Sequence, residues 1–128
     1  MPGWEDYKSE AKNRGSLAME LFVVSTKPVK SPEELRAVLP AHLAYQKQLE
    51  DLGVLVMAGP VSDPTGKLMQ GEGMIIYRAT SLEEATAITA ADPMHAEGIR
   101  EFSIRKWLVN EGRFDVSLRL SSQSLALA

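Results

Sequence analysis

The chain has 128 residues with 45% hydrophobic and 24% charged side chains, the length and make-up of one ordinary globular domain. A formal net charge of −3 and no cysteine argue against nucleic-acid binding, and they remove disulfides, thiolate nucleophiles and cysteine-ligated metals. No apolar run approaches the roughly 20 residues of a membrane span, and the polar start MPGWEDYKSEAKNRG lacks a signal-peptide core, so a cytoplasmic address is expected.

In chain order, Trp4, Tyr7 and Ala11 at spacings of three and four predict a short amphipathic helix ended by Gly15. LAMELFVVST at 17–26 predicts a strand. Met19, Leu21 and Val23 line one face and Ala18, Phe22 and Val24 the other, so both faces need cover. Ser31-Pro32-Glu33-Glu34 carries the chemistry of a capping box, and Leu35, Val38, Leu39, Leu49 and Leu52 continue it as a helix ended by Gly53. Pro40 is expected to kink or split that helix. VLVMAGPV at 54–61 and a segment from Gly71 to Arg78, joined through Asp63-Pro64-Thr65-Gly66, predict a hairpin. Ser81-Leu82-Glu83-Glu84 predicts a second capping box and a helix stopped by Asp92-Pro93. A strand at 100–109 follows, then Glu111-Gly112 as a turn, then a half-exposed strand at 114–120. The tail SSQSLALA is open to fraying or pairing.

The order βαββαβ is the ferredoxin-like arrangement, with two helices on one face of an antiparallel sheet. Three segments are expected: a helical extension at 1–16, a ferredoxin-like domain at 17–112, and a strand and tail at 113–128. The bare sheet face predicts a homodimer, a second copy covering it.

Imidazole chemistry is confined to His42 and His95. His42 lies seven residues from both Leu35 and Leu49, on or beside the apolar face of its helix. It is either a hydrogen-bonded core histidine or a general base. Asp92, at the end of the second helix, opposes the helix dipole there, so it is either turn chemistry or a carboxylate that orients a histidine. His95 in the following loop is a remote candidate for a metal site with His42 and Asp92; no metal is expected. Ser16, Ser62 and Ser103 lack a nucleophile elbow, and Gly71-Glu72-Gly73 is not a dinucleotide fingerprint. Glu20 and Arg100 at strand positions read as an ion pair or interface contacts.

AHLAYQKQLEDLGVLVMAGPV, ADPMHAEGI, and a strand ending in Trp107 followed by Asn110-Glu111-Gly112 resemble the YCII-related family over about residues 18–111. The resemblance implies dimeric α/β barrels, and kinship with chloromuconolactone dehalogenases and muconolactone isomerases. It also implies a site on a histidine and an aspartate, matched here by His42 and Asp92. The expected function is a cofactor-independent lyase or isomerase acting on a small carbonyl or lactone compound. In that reading Met57, Gly59, Pro60 and Met94 shape the pocket. The alternative is a non-catalytic ligand-binding or accessory module, since fold does not imply function.

Overall fold

The structure, a computed structural model, describes residues 1–127 in two units. The larger unit is Glu20–Trp107, and the smaller joins Met1–Met19 to the chain from Leu108 onward. The elements are α1 (Trp4–Asn13), β1 (Met19–Pro28), α2 (Pro32–Asp51), β2 (Leu55–Ser62), β3 (Met69–Tyr77), α3 (Leu82–Ala91), α4 (Pro93–Ala96), β4 (Arg100–Val109), β5 (Val116–Arg119) and β6 (Ser124–Leu127).

The larger unit is the ferredoxin-like α+β fold. Its sheet order is β2-β3-β1-β4, and β3 runs antiparallel to both β1 and β2. Phe22 pairs with Tyr77 and Val24 with Ile75, so these four point the same way, onto the helices. They form the core with Leu49 of α2 and Ala85 of α3, flanked by Tyr45, Ile88, Phe102 and Ile104. A smaller cluster of Val38, Met94 and Ile99, with Leu35 against it, closes one end of α2.

The helices begin as their caps require. Ser31 accepts from the Glu34 amide at 3.2 Å, and the Glu34 carboxylate accepts from the Ser31 amide at 3.3 Å, a complete capping box. The second box is only half made. Ser81 accepts from the Glu84 amide at 3.0 Å, but the Glu84 carboxylate takes the Thr80 hydroxyl instead. Pro40 does not split α2: the helix runs unbroken for 20 residues. A single proline removes one donor from the ladder, and the packing of Val38 and Leu49 on either side holds the helix together.

The loop between β2 and β3 is organised by Asp63, whose carboxylate accepts from the Thr65 hydroxyl at 2.7 Å and from the amides of Lys67 and Leu68 at 3.3 Å. Gly71 has φ +83°, and a Cβ there would lie 2.9 Å from Pro28 Cγ, so this is the close backbone approach that its glycine content implied.

In the smaller unit Arg14 donates to the Tyr7 hydroxyl at 3.2 Å, and the Leu17 amide donates to the Asn110 carbonyl. The segment at 114–120 is shorter than expected. Only Val116–Arg119 is strand, and its described partner is the tail, with Val116 opposite Leu127 and Leu118 opposite Leu125. All of it is exposed rather than half-exposed.

Two tyrosines of the core behave differently. Half-buried Tyr45 donates to the Ile88 carbonyl at 2.7 Å, whereas the hydroxyl of buried Tyr77 has no hydrogen-bond partner among the described residues. Tyr77→Phe is therefore expected to hold or raise stability, by up to about 1 kcal/mol, while Tyr45→Phe loses about 1 kcal/mol. Urea unfolding of the two variants checks the contrast; equal losses would contradict it.

Candidate active site

α2 and the α3–α4 junction bring the two predicted residues together. Asp92 ends α3 with extended backbone torsions and starts α4, where its Oδ1 accepts from the Met94 amide at 3.0 Å. It is thus the N-cap of a following turn, and the opposition to the α3 dipole expected from sequence is only half of its situation. The side chain is 0% exposed. His42 Nδ1 lies 2.8 Å from both of its oxygens. A carboxylate only accepts, so Nδ1 carries a proton, and Nε2 is the ring nitrogen without a hydrogen-bond partner among the described residues.

His42 lines a cavity of about 360 Å³ between the helices and the sheet. Leu35, Leu39 and Leu43 of α2 form one wall; Gly59, Pro60, Gly73 and Met74 of the hairpin form another; Met94, His95 and Arg100 complete it. Of the expected pocket residues, Gly59, Pro60 and Met94 are at the cavity and Met57 is not. The ladder slips between Leu55 and Met57, so Met57 pairs with Ile76 and stands on the sheet face opposite the helices, 48% exposed.

Sequence reading missed a second hydrogen-bonded chain behind this cavity. Arg100 Nε donates to Thr26 Oγ1 at 2.9 Å, Thr26 Oγ1 lies 2.8 Å from His95 Nε2, and His95 Nδ1 lies 2.8 Å from the Thr89 carbonyl. The carbonyl fixes the direction: Nδ1 donates to Thr89, and Nε2 accepts the Thr26 hydroxyl proton. Both nitrogens are occupied, so His95 holds the Asp92–Met94 turn to β1 and has none left for a metal. Among the described residues Arg100 makes no ion pair, the first of the two roles expected for it. Its remaining bonds go to the Thr26 carbonyl, at 3.0 Å, and to the Gly71 carbonyl. Glu20 does pair, with Lys106 at 3.6 Å. The only trace of this chain in the sequence is polar Thr26 and Arg100 at inward strand positions, which alternation marks as misplaced.

Burial is the main cause of the shifts around the site. It pushes the His95 imidazole below its ordinary range, and nearby Arg100 and His42 add to this against Thr89 and Asp92. It also pushes the Tyr77 hydroxyl far up, reinforced by Asp92, and draws the Arg100 guanidinium down, opposed by Asp92.

For His95 the native state binds its proton less readily than the unfolded chain does. Its contribution to stability is full above the unfolded value near pH ~6.5, and it is lost as pH falls below that toward the lowered native value, by at most about 1.4 kcal/mol per pH unit. Melting temperatures between about pH 7.5 and 5.5 should fall more steeply for the parent than for His95→Gln; parallel slopes would contradict the assignment.

An antiparallel βαββαβ sheet with a histidine–aspartate pair at a cavity under its helices defines the protomer fold of the dimeric α/β barrel proteins. The YCII-related domain matches residues 19–108, and the chain belongs to that family. The uncharacterized protein YjpA of Bacillus subtilis (strain 168) is 39% identical over 66 residues, 52% of this chain and 71% of YjpA. Among solved structures, the 5-chloro-2-hydroxyhydroquinone dehydrochlorinase TftG of Burkholderia phenoliruptrix AC1100, in complex with 2,5-dihydroxybenzoquinone, superposes with a TM-score of 0.52 at 24% identity. That match covers 68% of this chain and 92% of TftG. Among the described residues no helix is long and apolar enough to cross a membrane.

Proposed function

We propose that the protein is a cofactor-independent lyase or isomerase that moves a proton on a small carbonyl or lactone compound, with His42 as the base and Asp92 as the residue that orients it. The observation that carries this reading is the geometry of His42: Nδ1 is held by a fully buried carboxylate, and the ring lines the cavity with Nε2 making no hydrogen bond among the described residues. An ionised carboxylate behind the ring stabilises the imidazolium that forms when Nε2 takes a proton. The same imidazolium then returns the proton to another atom of the substrate, which is isomerisation, or gives it up as a leaving group departs, which is elimination. The dehydrochlorination named for TftG is an elimination of this kind.

Mostly apolar walls suit a small ligand and lower the local dielectric, which strengthens the dyad's effect on a developing charge. The test is solvent-deuterium exchange at the α-carbon of a panel of small ketones, keto acids and lactones, followed by NMR. Enzyme-dependent exchange at one or more members is expected. Binding of panel members without any exchange would favour the non-catalytic module.

The functional unit is proposed to be a homodimer made through the sheet faces opposite the helices. Met57, Met74 and Trp107 are 48%, 41% and 44% exposed, a set of large apolar side chains that monomers seldom leave in water. Sedimentation should give twice the chain mass; a monomer throughout the micromolar range would remove the idea.

A further inference from the structure

The charge balance around the cavity is one-sided. Its lining contains two arginines, Arg36 and Arg100, two histidines, and no aspartate or glutamate. This occurs in a chain that carries 17 acidic residues against 14 basic ones. Asp92, the nearest carboxylate, is committed to His42 and the Met94 amide and is fully buried behind them.

Arg100 is the half-buried member of the pair, and it is held rather than loose. Nε donates to the Thr26 hydroxyl, and one terminal nitrogen, Nη2, bridges the carbonyls of Thr26 on β1 and Gly71 on β3. All these acceptors are neutral. Among the described residues no carboxylate lies within ion-pair distance of Arg100, Asp92 acting on it only from farther off, and the other terminal nitrogen, Nη1, makes no hydrogen bond. A partly buried cation whose bonded acceptors are all neutral keeps much of its field, and a fixed guanidinium presents its remaining N–H donors in one direction. The arrangement costs desolvation that an incoming anion would offset.

We propose that the cavity takes a small, otherwise apolar molecule bearing one anionic oxygen group, a carboxylate or an ionised enol or phenol, and that Arg100 is the residue that binds it. Leu35, Leu39, Leu43 and Met94 cover the apolar body, and Arg36 at the exposed end adds attraction on entry. Arg100 fixes which end of the molecule faces the sheet, and so which carbon is offered to His42. The assignment to a substrate rests on the proton-transfer reading above; the anion site itself does not.

The experiment is a calorimetric or NMR titration with two pairs of probes: benzoate against its neutral isostere benzamide, and 4-nitrophenolate against neutral 4-nitroanisole. At least one anion is expected to bind about 10-fold or more tightly than its neutral counterpart, and which pair does so identifies the group. Arg100→Gln should erase that preference while leaving the neutral probe's affinity unchanged. Arg100→Lys keeps the charge but loses the fork, so a drop of several-fold is expected. If the Gln variant does not fold, the Lys variant decides. Gly71→Ala removes no charge, but its Cβ would lie 2.9 Å from Pro28 Cγ and so displaces the carbonyl that holds Nη2; it should weaken the anion alone. An anion preference that survives in Arg100→Gln, no weakening in Arg100→Lys, equal binding of charged and neutral probes, or no binding of either anion would each overturn the proposal.

Failure of the two readings looks different. If the anion preference depends on Arg100 but deuterium exchange is indifferent to His42, the proton-transfer function falls and the anion site stands. If exchange depends on His42 and no anion preference exists, the reverse holds.

Discussion

His42→Asn is expected to lower proton exchange on a responsive substrate by a factor of about 10²–10⁴, the usual contribution of a positioned general base, while the melting temperature stays close to that of the parent. Asparagine is the informative replacement. Its amide nitrogen hangs on Cγ as Nδ1 does and can donate to Asp92 from nearly the same position, so the buried carboxylate keeps a partner and the Asp92–Met94 cap survives. What it lacks is any group that accepts and returns a proton near neutral pH. A purely structural histidine would give the opposite pattern, with lost stability and ligand chemistry intact in whatever stays folded. An exchange rate within a few-fold of the parent would sink the base assignment.

The second large effect is at Asp92, where two substitutions separate its two roles. Asp92→Ala strips the cap from Met94 and leaves the His42 Nδ1–H facing a space that no acceptor fills. A lost N-cap and a lost charge-assisted hydrogen bond together predict about 2–4 kcal/mol of destabilisation, a fall in melting temperature of about 10 °C for a domain of this size. Asp92→Asn should cost far less, because its carbonyl oxygen can still cap the Met94 amide. With the oxygen so placed, it still lies 2.8 Å from His42 Nδ1 and still accepts from it, while the NH₂ group takes the place of the second oxygen. The ring keeps its hydrogen bond but loses the negative charge that stabilises its imidazolium. Proton exchange on the substrate should therefore fall well below that of the parent while most of the stability is kept. An Asn variant with parental exchange would show that the Asp92 charge does not serve the base, and an Ala variant that melts with the parent would show that Asp92 is not structural.

The alternation and capping chemistry of the chain are enough to place the βαββαβ order, because each depends on neighbours within a few residues. Ser31 and Glu34 are such a pair, and both legs of their box form. The second box fails on one leg through an equally local competitor, the Thr80 hydroxyl, which offers Glu84 a partner that a four-residue pattern does not weigh. Pro40 marks the limit of local reasoning in the other direction. Its intrinsic penalty is real, but the packing of Val38 and Leu49 overrides it.

His42 and Asp92 are each legible as ambiguous residues, and the family pattern singles out the pair. Their meeting, across 50 residues, is decided by the packing of α2 against the α3–α4 junction. Met57 shows why pocket lining is harder to read than a dyad. Alternation from Leu55 would turn it inward, but one slipped residue in the β2–β3 ladder reverses every later side chain, and nothing in VLVMAGPV announces the slip. The Arg100–Thr26–His95 chain lies furthest from what sequence carries. Thr26 and Arg100 are 74 residues apart, and each alone is a polar residue on a strand that could face either way. The sequence by itself determined the helices and strands of the βαββαβ order, which follow from short-range patterning, while the choice of His42 and Asp92 came from the family pattern, and the short helix at 93–96 and the pairing of the tail came from the structure. Tertiary structure alone decided which nitrogens of the two histidines are bonded, the neutral acceptors around Arg100 and the one-signed charge of the cavity lining, because each depends on which groups meet across the fold.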